Sequence, residues 1–124
     1  MGLLVENLKV EGDKGKAEIA CLFDTGSSES LIREDIAGKV STIVNLPQPL
    51  YFKMADGEGI LKANKCIPLS ITLDGCTIRD EVIVVDKLTD DMIIGAGTMQ
   101  KYRIKLDLEN ERVIIDPKVT RLRV

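Results

Sequence analysis

The chain contains no histidine and no tryptophan. The lack of histidine excludes His-based zinc sites, Ser-His-Asp and Cys-His catalysis, and any histidine pH switch. Phenylalanine and tyrosine occur twice each, so aromatic residues make up only 3% of the sequence. We therefore expect a core of isoleucine, valine and leucine side chains, and few surfaces on which nucleic-acid bases could stack.

Positive charge is not in excess. Seventeen lysine and arginine residues stand against twenty aspartate and glutamate residues, which gives a net charge of -3 and a pI near 5.0. Proteins that bind nucleic acid present a basic stripe to the phosphates. Together with the scarcity of aromatics, this charge balance predicts no nucleic-acid partner.

Cysteines and long apolar runs are also scarce. The three cysteines, Cys21, Cys66 and Cys76, are odd in number and have no CxxC spacing, so we expect no disulfide framework and a reducing, cytoplasmic setting. The longest apolar runs, residues 19–23 and 82–85, fall far short of the ~20 residues of a membrane span. No signal-peptide pattern opens the sequence, so we expect no membrane contact within this chain.

Short β-strands dominate the pattern. Ala17, Ile19, Cys21 and Phe23 alternate with other residues, which is typical of a strand with one buried face. Further strand patterns cover residues 3–10, 60–63, 67–73, 77–85, 104–108 and 113–115.

Prolines and glycines mark the interruptions. Asp74-Gly75 predicts a hairpin turn. Pro68 predicts that its strand begins there or lies at the edge of a sheet. Pro47 and Pro49 predict a loop within the domain.

Helical patterns are few. Residues 33–40 allow two turns of helix, and residues 97–102 allow one short helix. No segment is long enough for βαβ alternation, which argues against a parallel doubly wound sheet. At 124 residues, the chain is predicted to form one mostly β domain over residues 1–124, with one or two short helices.

One acidic residue stands in an informative context. Asp24 follows a nearly continuous apolar run and precedes Thr25-Gly26, with Ser27 and Ser28 next. Aspartate and glycine are ordinary turn residues, so Asp-Thr-Gly alone matches many surface loops. The apolar run before Asp24 instead predicts a carboxyl group at the mouth of the core.

Two glycine-containing segments complete the set. Residues 92–99 include Ile93-Ile94-Gly95 and predict a buried strand that enters a tight turn, where glycine lets another backbone approach closely. An ordinary strand-to-helix turn would give the same pattern. Residues 55–59 predict a mobile hairpin tip, and they match neither a phosphate-binding GxGxxG nor a P-loop.

In their order along the chain, these three segments resemble the retropepsin-like aspartic proteases. The Asp-Thr-Gly-Ser-Ser run at residues 24–28 resembles the catalytic loop of that family. Residues 55–59 lie where the family has its flap hairpin, and the Ile-Ile-Gly run at residues 93–95 resembles its hydrophobic-hydrophobic-Gly motif. The resemblance extends over residues 16–115 and implies a closed, orthogonal β-barrel of the acid-protease type.

The sequence departs from this family at three places. Gly97 stands where many members carry aspartate or asparagine, and Ser28 stands where the retroviral enzymes carry an acidic residue. The segment from residue 33 to residue 50 is longer than in the retroviral enzymes. None of these differences alters the Asp-Thr-Gly group itself.

The resemblance implies an aspartic endopeptidase that needs no cofactor. In the family, two aspartates share one proton around a water molecule, because two carboxylates ~3 Å apart cannot both ionise. This sequence has a single Asp-Thr-Gly. A protease built from it must therefore be a homodimer in which Asp24 of each subunit meets near the twofold axis.

The same resemblance assigns roles to individual residues. Asp24 is the catalytic carboxylate, Thr25 hydrogen-bonds across the dimer, and Gly26 lets the substrate backbone approach. Ser27 lies beside Asp24 and can donate a hydrogen bond to it, and Ser28 belongs to the substrate-binding loop. A peptide or protein substrate binds in extended form under a lid that contains Asp56, Gly57, Glu58 and Gly59.

Other expectations concern the surroundings of the site and the dimer. Leu22, Ile93 and Ile94 are expected in the core near the site, not in substrate pockets. Residues 3–5 and 119–124 are candidates for dimer contacts.

Two other functions stay open. The same fold could serve as a catalytically inactive module that dimerises or binds an extended peptide without cutting it. The chain could also be an unrelated small β-barrel with accidental matches to the motifs.

Overall fold

A computed structural model describes residues 3–53 and 59–120 of the chain. Nine β-strands, two short α-helices and one 3-10 helix make up this part. In chain order they are β1 (Leu3–Gly12), β2 (Gly15–Asp24), β3 (Leu31–Arg33), α1 (Glu34–Val40), β4 (Val44–Lys53), β5 (Ile60–Leu73), β6 (Cys76–Val85), β7 (Met92–Ile94), α2 (Ala96–Lys101), β8 (Lys105–Asp107), β9 (Arg112–Ile114) and the 3-10 helix (Pro117–Thr120).

Six strands close into a barrel. Their order is β1-β2-β7-β3-β6-β5, and β5 pairs in turn with β1. The β2–β7 and β3–β6 pairs are parallel, and the other four are antiparallel. β4 pairs with β5 outside this ring, and β8 and β9 form a separate hairpin. The prediction of a mostly β, closed barrel with short helices is confirmed.

Alternating side chains of the barrel strands fill its interior. In β2, Ile19, Cys21 and Phe23 are buried, whereas the residues between them are half-buried. The core is mainly aliphatic, as the composition predicts. Phe23 is fully buried at the end of β2, and burial of such a side chain contributes ~1.5–3 kcal/mol. Asp24, the next residue and the last of β2, is therefore held in place by a well-packed neighbour.

The prediction of a loop at Pro47 and Pro49 is wrong, because both prolines lie within β4. The pairing of β4 with β5 shifts register between Asn45 and Leu50. This irregularity accommodates the prolines, since proline has no N–H to donate to a regular ladder.

The expectation for Pro68 is also wrong, because Pro68 lies in the middle of β5. That strand joins the two predicted strand segments without a break, and Pro68 is paired there with Glu81 of β6. On the other side of β5, the pairing with β4 ends at Cys66 and the pairing with β1 begins at Ser70. Pro68 lies between them, where neither neighbouring strand requires its missing N–H.

The two helices lie within one residue of their predicted positions. Both are short, and each buries one side against the barrel through residues such as Ala37 and Met99. None of the helices in the described ranges combines the length and the hydropathy that a membrane crossing requires.

All three cysteines are buried and free. Cys21 and Cys76 belong to the main core. Cys66 belongs to a second apolar cluster, which also contains Leu31, Ala63, Ile83 and Val85. Burial raises the pKa of the Cys21 thiol to about 12 and that of Cys66 to about 11, so both remain neutral thiols near pH ~7.

The loop that follows Asp24 packs against the start of α2. The backbone N–H groups of Ala96 and Gly97 donate hydrogen bonds to the carbonyl oxygens of Ser27 (2.6 Å) and Ser28 (3.1 Å). This approach requires glycine at residue 95, because an added Cβ would lie 2.7 Å from the Ser27 carbonyl oxygen. The glycine that follows β7 thus lets the loop after Asp24 come into backbone contact with α2.

The turn between β1 and β2 is tied to the segment after α1 by a carboxylate. Asp13 accepts hydrogen bonds from the backbone N–H (2.7 Å) and the hydroxyl (2.5 Å) of Thr42. These bonds lower the pKa of Asp13, because they favour the charged form. A pKa that is lowered in the folded state adds stability above the ordinary value, and this stability is lost as the pH falls through the folded value.

We expect Gly95→Ala to destabilise the protein by ~1–3 kcal/mol, because the added methyl group can be accommodated only by a backbone shift. Gly38→Ala in α1 is the matched control. Its Cβ would have Ile43 Cδ1 as nearest neighbour at 4.0 Å, so we expect a gain of up to ~1 kcal/mol from helix propensity. Urea unfolding midpoints measure both changes, and unaltered stability of Gly95→Ala would contradict the contact.

We expect Asp13→Asn to lower the urea midpoint at about pH 7, because the amide replaces a doubly hydrogen-bonded carboxylate. The difference from the parent should shrink as the pH falls below the ordinary aspartate value of 3.8, where Asp13 itself becomes protonated. Asp86→Asn is the control, since exposed Asp86 makes no hydrogen bond or ion pair within residues 3–53 and 59–120. A difference that stays constant with pH would argue against this role of Asp13.

Candidate active site

Asp24 is the last residue of β2, and the strand sets where its side chain points. Phe23 is fully buried in the core, so the alternation of the strand directs Asp24 away from the core. Leu3 is its register partner on β1, and β7 ends beside it at Ile94, the partner of Phe23. Asp24 as a whole is half-buried at the mouth of the barrel, as the apolar run before it predicts.

The turn after Asp24 orients its carboxylate. The Gly26 N–H donates a hydrogen bond to Asp24 Oδ1 at 2.8 Å, and the Ser27 N–H donates to the Asp24 carbonyl oxygen at 3.2 Å. The expected hydrogen bond from the Ser27 side chain to Asp24 is wrong, because that hydroxyl donates to the Glu29 carbonyl oxygen at 2.8 Å. The backbone, not a serine side chain, therefore holds the carboxylate.

A cleft of about 540 Å³ opens beside Asp24. Asp24 is the only carboxylate among the described residues that line it. Ser27 and Ser28 contribute from the loop, and two lysines, Lys53 and Lys87, also line the cleft. Its apolar lining residues are Leu31, Phe52, Leu61, Leu88 and Ile93.

The cleft corrects one expectation about the surrounding core. Ile94 is fully buried, as expected. Ile93, however, is half-buried and lines the cleft, because neighbouring residues of β7 point to opposite faces. Leu22 is half-buried on β2, in register with Ile93.

A second depression, of about 580 Å³, adjoins Thr25. It lies between the Asp-Thr-Gly turn, α2 and the β8–β9 hairpin, and Met99, Leu106 and Leu108 give it an apolar floor. The Leu108 residue is 50% exposed. Asp24 and Thr25, although adjacent in sequence, thus line different hollows on either side of the turn.

Of the four expected lid residues, Gly59 alone lies in the described part of the chain. It is exposed and has φ +90, a left-handed conformation that glycine adopts without strain. Asp56, Gly57 and Glu58 lie outside the described residues. On either side of them, β4 and β5 are paired antiparallel, and this hairpin stem contributes Phe52 and Leu61 to the cleft.

Beneath the loop, three polar side chains form a chain of hydrogen bonds that sequence analysis did not identify. The Ser30 and Thr98 hydroxyl oxygens are 2.6 Å apart, and both residues are 3% exposed. The Gly95 N–H donates to Ser30 Oγ at 3.0 Å, and Thr98 donates to Asp80 Oδ2 at 2.6 Å. The sequence offered only a weak indication of this buried chain, namely that Ser30 directly precedes the apolar pair Leu31-Ile32.

The chemistry available in the cleft is that of a carboxyl group. Within the described ranges, no three His, Cys, Asp or Glu side chains come together as a metal site. As a carboxylate, Asp24 can accept a proton, and its protonated form can donate one. An arrangement in which two carboxylates share one proton requires a second copy of the chain, because the sequence has one Asp-Thr-Gly.

The solved structures that share this fold include two retroviral-type protease domains. The retroviral protease-like domain of Ddi1 from Leishmania major is 18% identical, with a TM-score of 0.67, over 94% of this chain and 90% of that one. The EIAV protease in complex with the inhibitor HBY-793 is 18% identical, with a TM-score of 0.64, over 86% of this chain and 94% of that one. These likenesses establish the fold, and a sequence comparison with curated proteins gave no match.

The retroviral aspartyl protease family matches residues 15–121. This span includes the Asp-Thr-Gly turn, the hairpin stem formed by β4 and β5, and the Ile-Ile-Gly segment. All the elements around the cleft therefore fall inside the match. The chain belongs to the retroviral aspartyl protease family.

Proposed function

We propose that this chain is an aspartic endopeptidase that acts as a homodimer. The observation that best supports this function is the carboxylate of Asp24, which the Gly26 N–H holds at 2.8 Å at the side of a largely apolar cleft. Family membership supplies the class of reaction, and the cleft has room for a peptide segment beside the carboxylate.

In the proposed reaction, Asp24 and the partner subunit's Asp24 share one proton and bind a water molecule between them. The ionised carboxylate takes a proton from the water, and the water oxygen attacks the scissile carbonyl carbon. The protonated carboxyl group donates its proton to the carbonyl oxygen. The tetrahedral intermediate then collapses and the C–N bond breaks. The leaving nitrogen takes the proton that the first carboxylate received from the water, and the other carboxylate takes a proton back from a hydroxyl group of the intermediate.

The substrate in this proposal is an extended peptide with apolar side chains near the cut bond. Leu31, Leu88 and Ile93 would contact those side chains from one wall of the cleft, and Phe52 and Leu61 from the hairpin stem. Backbone groups around Gly26 and Ser28 would hold the peptide main chain, and the predicted lid residues Asp56, Gly57, Glu58 and Gly59 would close over it. Burial of each apolar side chain would contribute to binding in proportion to its area.

The partner subunit would dock on the face that carries Thr25. Leu108 and Ile114 of the β8–β9 region are 50% and 42% exposed, and Leu3 and Val5 of β1 are 51% and 61% exposed. Leu3 is directly opposite Asp24, so this apolar surface reaches the catalytic carboxylate. In the described part of the chain, β8 and β9 pair only with each other, and their free edges can accept a strand from a second copy.

We also propose a reducing, cytoplasmic setting for the protein. The three cysteines are buried and unpaired with one another, which supports a compartment in which thiols stay reduced. Measurement of free thiols in protein isolated without added reductant tests this setting.

We expect Asp24→Asn to abolish peptide cleavage, with a loss of roughly 10⁴-fold or more, because the amide cannot share the proton. The measurement is a peptide-library digest read by mass spectrometry across the range from acidic to neutral pH. Asp74→Asn is the matched control, since Asp74 lies in the exposed β5–β6 turn and asparagine tolerates its positive φ. If the parent protein and Asp24→Asn both bind peptide and neither forms products, the result would favour an inactive peptide-binding module.

We expect Leu108→Glu to weaken the dimer and to make the specific activity depend on protein concentration, because it puts a charge on the apolar docking face. Sedimentation velocity and activity are measured over the same dilution series. Val44→Glu is the control, because Val44 is similarly exposed (46%) at the start of β4 and should leave the dimer intact. A parent protein that sediments only as a monomer, at any concentration, would count against the homodimer.

A further inference from the structure

The hydrogen bonds beneath the active-site loop run in one direction. A carboxylate accepts hydrogen bonds and a hydroxyl has one proton to donate. Thr98 gives its proton to Asp80 Oδ2 (2.6 Å), so Ser30 must donate to Thr98 Oγ1 (2.6 Å). The Gly95 N–H in turn donates to Ser30 Oγ (3.0 Å). The result is an oriented relay from Gly95 through Ser30 and Thr98 to Asp80, in which each bond polarises the next.

Both hydroxyl groups of the relay are held inside the protein. Ser30 and Thr98 are 3% exposed, so bulk water cannot readily replace a lost partner. Ser30 is also fixed by its backbone, because the Ile83 N–H donates to its carbonyl oxygen at 2.9 Å. At the outer end, Asp80 accepts a hydrogen bond from the Glu81 N–H at 2.9 Å and lies 3.9 Å from Lys101 Nζ.

The relay connects α2 to the loop that carries Asp24. Five residues separate Asp24 from Ser30, and the loop otherwise rests on α2 through the two backbone bonds to Ala96 and Gly97. Residue 97 itself offers no side chain to the loop, and an added Cβ would lie 2.9 Å from the Ser28 carbonyl oxygen. The Ser30–Thr98 pair therefore supplies the side-chain link between α2 and the loop.

We propose that Ser30 and Thr98, oriented by Asp80, are positioning residues that set the location of the Asp24 carboxylate. They act through the loop backbone and contact no substrate. The kinetic part of this inference rests on the proposed endopeptidase function, because it requires cleavage to be measured.

The first test compares Thr98→Val with Thr98→Ser, which removes or retains the hydroxyl at the same site. We expect Thr98→Val to lower kcat by between ~10-fold and ~100-fold with KM changed less than ~2-fold, since a small displacement of the catalytic group has effects of this size. Thr98→Ser should restore most of kcat. Each protein is assayed above its own measured dimer dissociation constant, so that weaker association does not enter kcat.

Ser41→Ala is the matched control. Ser41 is also buried, at 1% exposure, and its hydroxyl bonds the Thr42 carbonyl oxygen at 3.0 Å, away from the loop. We expect this variant to lose stability but to keep kcat. An unchanged kcat in Thr98→Val, or an equal loss in Ser41→Ala, would overturn the proposal.

A double variant tests whether the residues act as one relay. Because Ser30→Ala and Thr98→Val break the same chain, the pair should lower kcat little more than either change alone. Fully additive losses would contradict a shared relay. If Thr98→Val does not fold, Asp80→Ala, which removes the acceptor at the outer and less buried end, should lower kcat in the same direction, and no loss there would overturn the proposal.

A readout that needs no catalysis separates this inference from the proposed function. We expect Thr98→Val to accelerate hydrogen exchange at the amides of Gly26, Ser27 and Gly95, with the amide of Ile71 in β5 unchanged as an internal control. If the parent protein cleaves no peptide, the endopeptidase proposal fails while the exchange experiment still tests the relay. If exchange at all three amides is unchanged in Thr98→Val, the relay proposal is wrong, whether or not the parent protein cleaves peptides.

Discussion

The cleft depends on one mutual contact, between the loop after Asp24 and the first turn of α2. The first N–H groups of a helix have no partner within the helix, and here the N–H groups of Ala96 and Gly97 bond the loop carbonyls of Ser27 and Ser28. No side chain caps α2. A helix of six residues is too short to be stable by itself, so the loop stabilises the helix as much as the helix fixes the loop.

Barrel closure brings the two partners of this contact together. β2 and β7 are distant in sequence, and their parallel pairing sets Phe23 beside Ile94. The loop leaves one strand and α2 leaves the other, so both start from the same edge of the barrel. The interior cluster around Phe23 holds this edge. The second cluster, around Cys66 and Ile83, lies behind the apolar residues of the cleft.

Much of this architecture could be predicted from local patterns. The alternation in β2, the turn at Asp74-Gly75 and the two short helices each depend on neighbouring residues, and the structure has them close to their predicted positions. Asp24 at the mouth of the barrel follows from the apolar run before it. The resemblance to the retropepsin-like proteases further predicted that the segments at residues 24–28, 55–59 and 93–95 belong to one site.

The features that sequence analysis missed depend on distant partners. Pro68 is tolerated inside β5 because β4 and β1 leave a gap in the pairing beside it. The sequence around Pro68 does not indicate that gap. Ile93 and Ile94 look alike in sequence, but one lines the cleft and the other fills the core. The link between Ser30 and Thr98 joins residues 68 positions apart, and isolated hydroxyl residues are too common to indicate such a pair.

The length of β5 has a consequence for how the cleft can change. Residues 65–73 of β5 pair with β6 in the barrel wall, whereas residues 60–63 pair with β4 outside the ring. The outer part forms one wall of the cleft without contributing to barrel closure. Substitutions or length changes in that arm can therefore reshape this wall of the cleft without breaking any strand pairing of the closed ring. The shape of the cleft wall and the closure of the barrel thus depend on different parts of a single strand, so one can change in evolution while the other is kept.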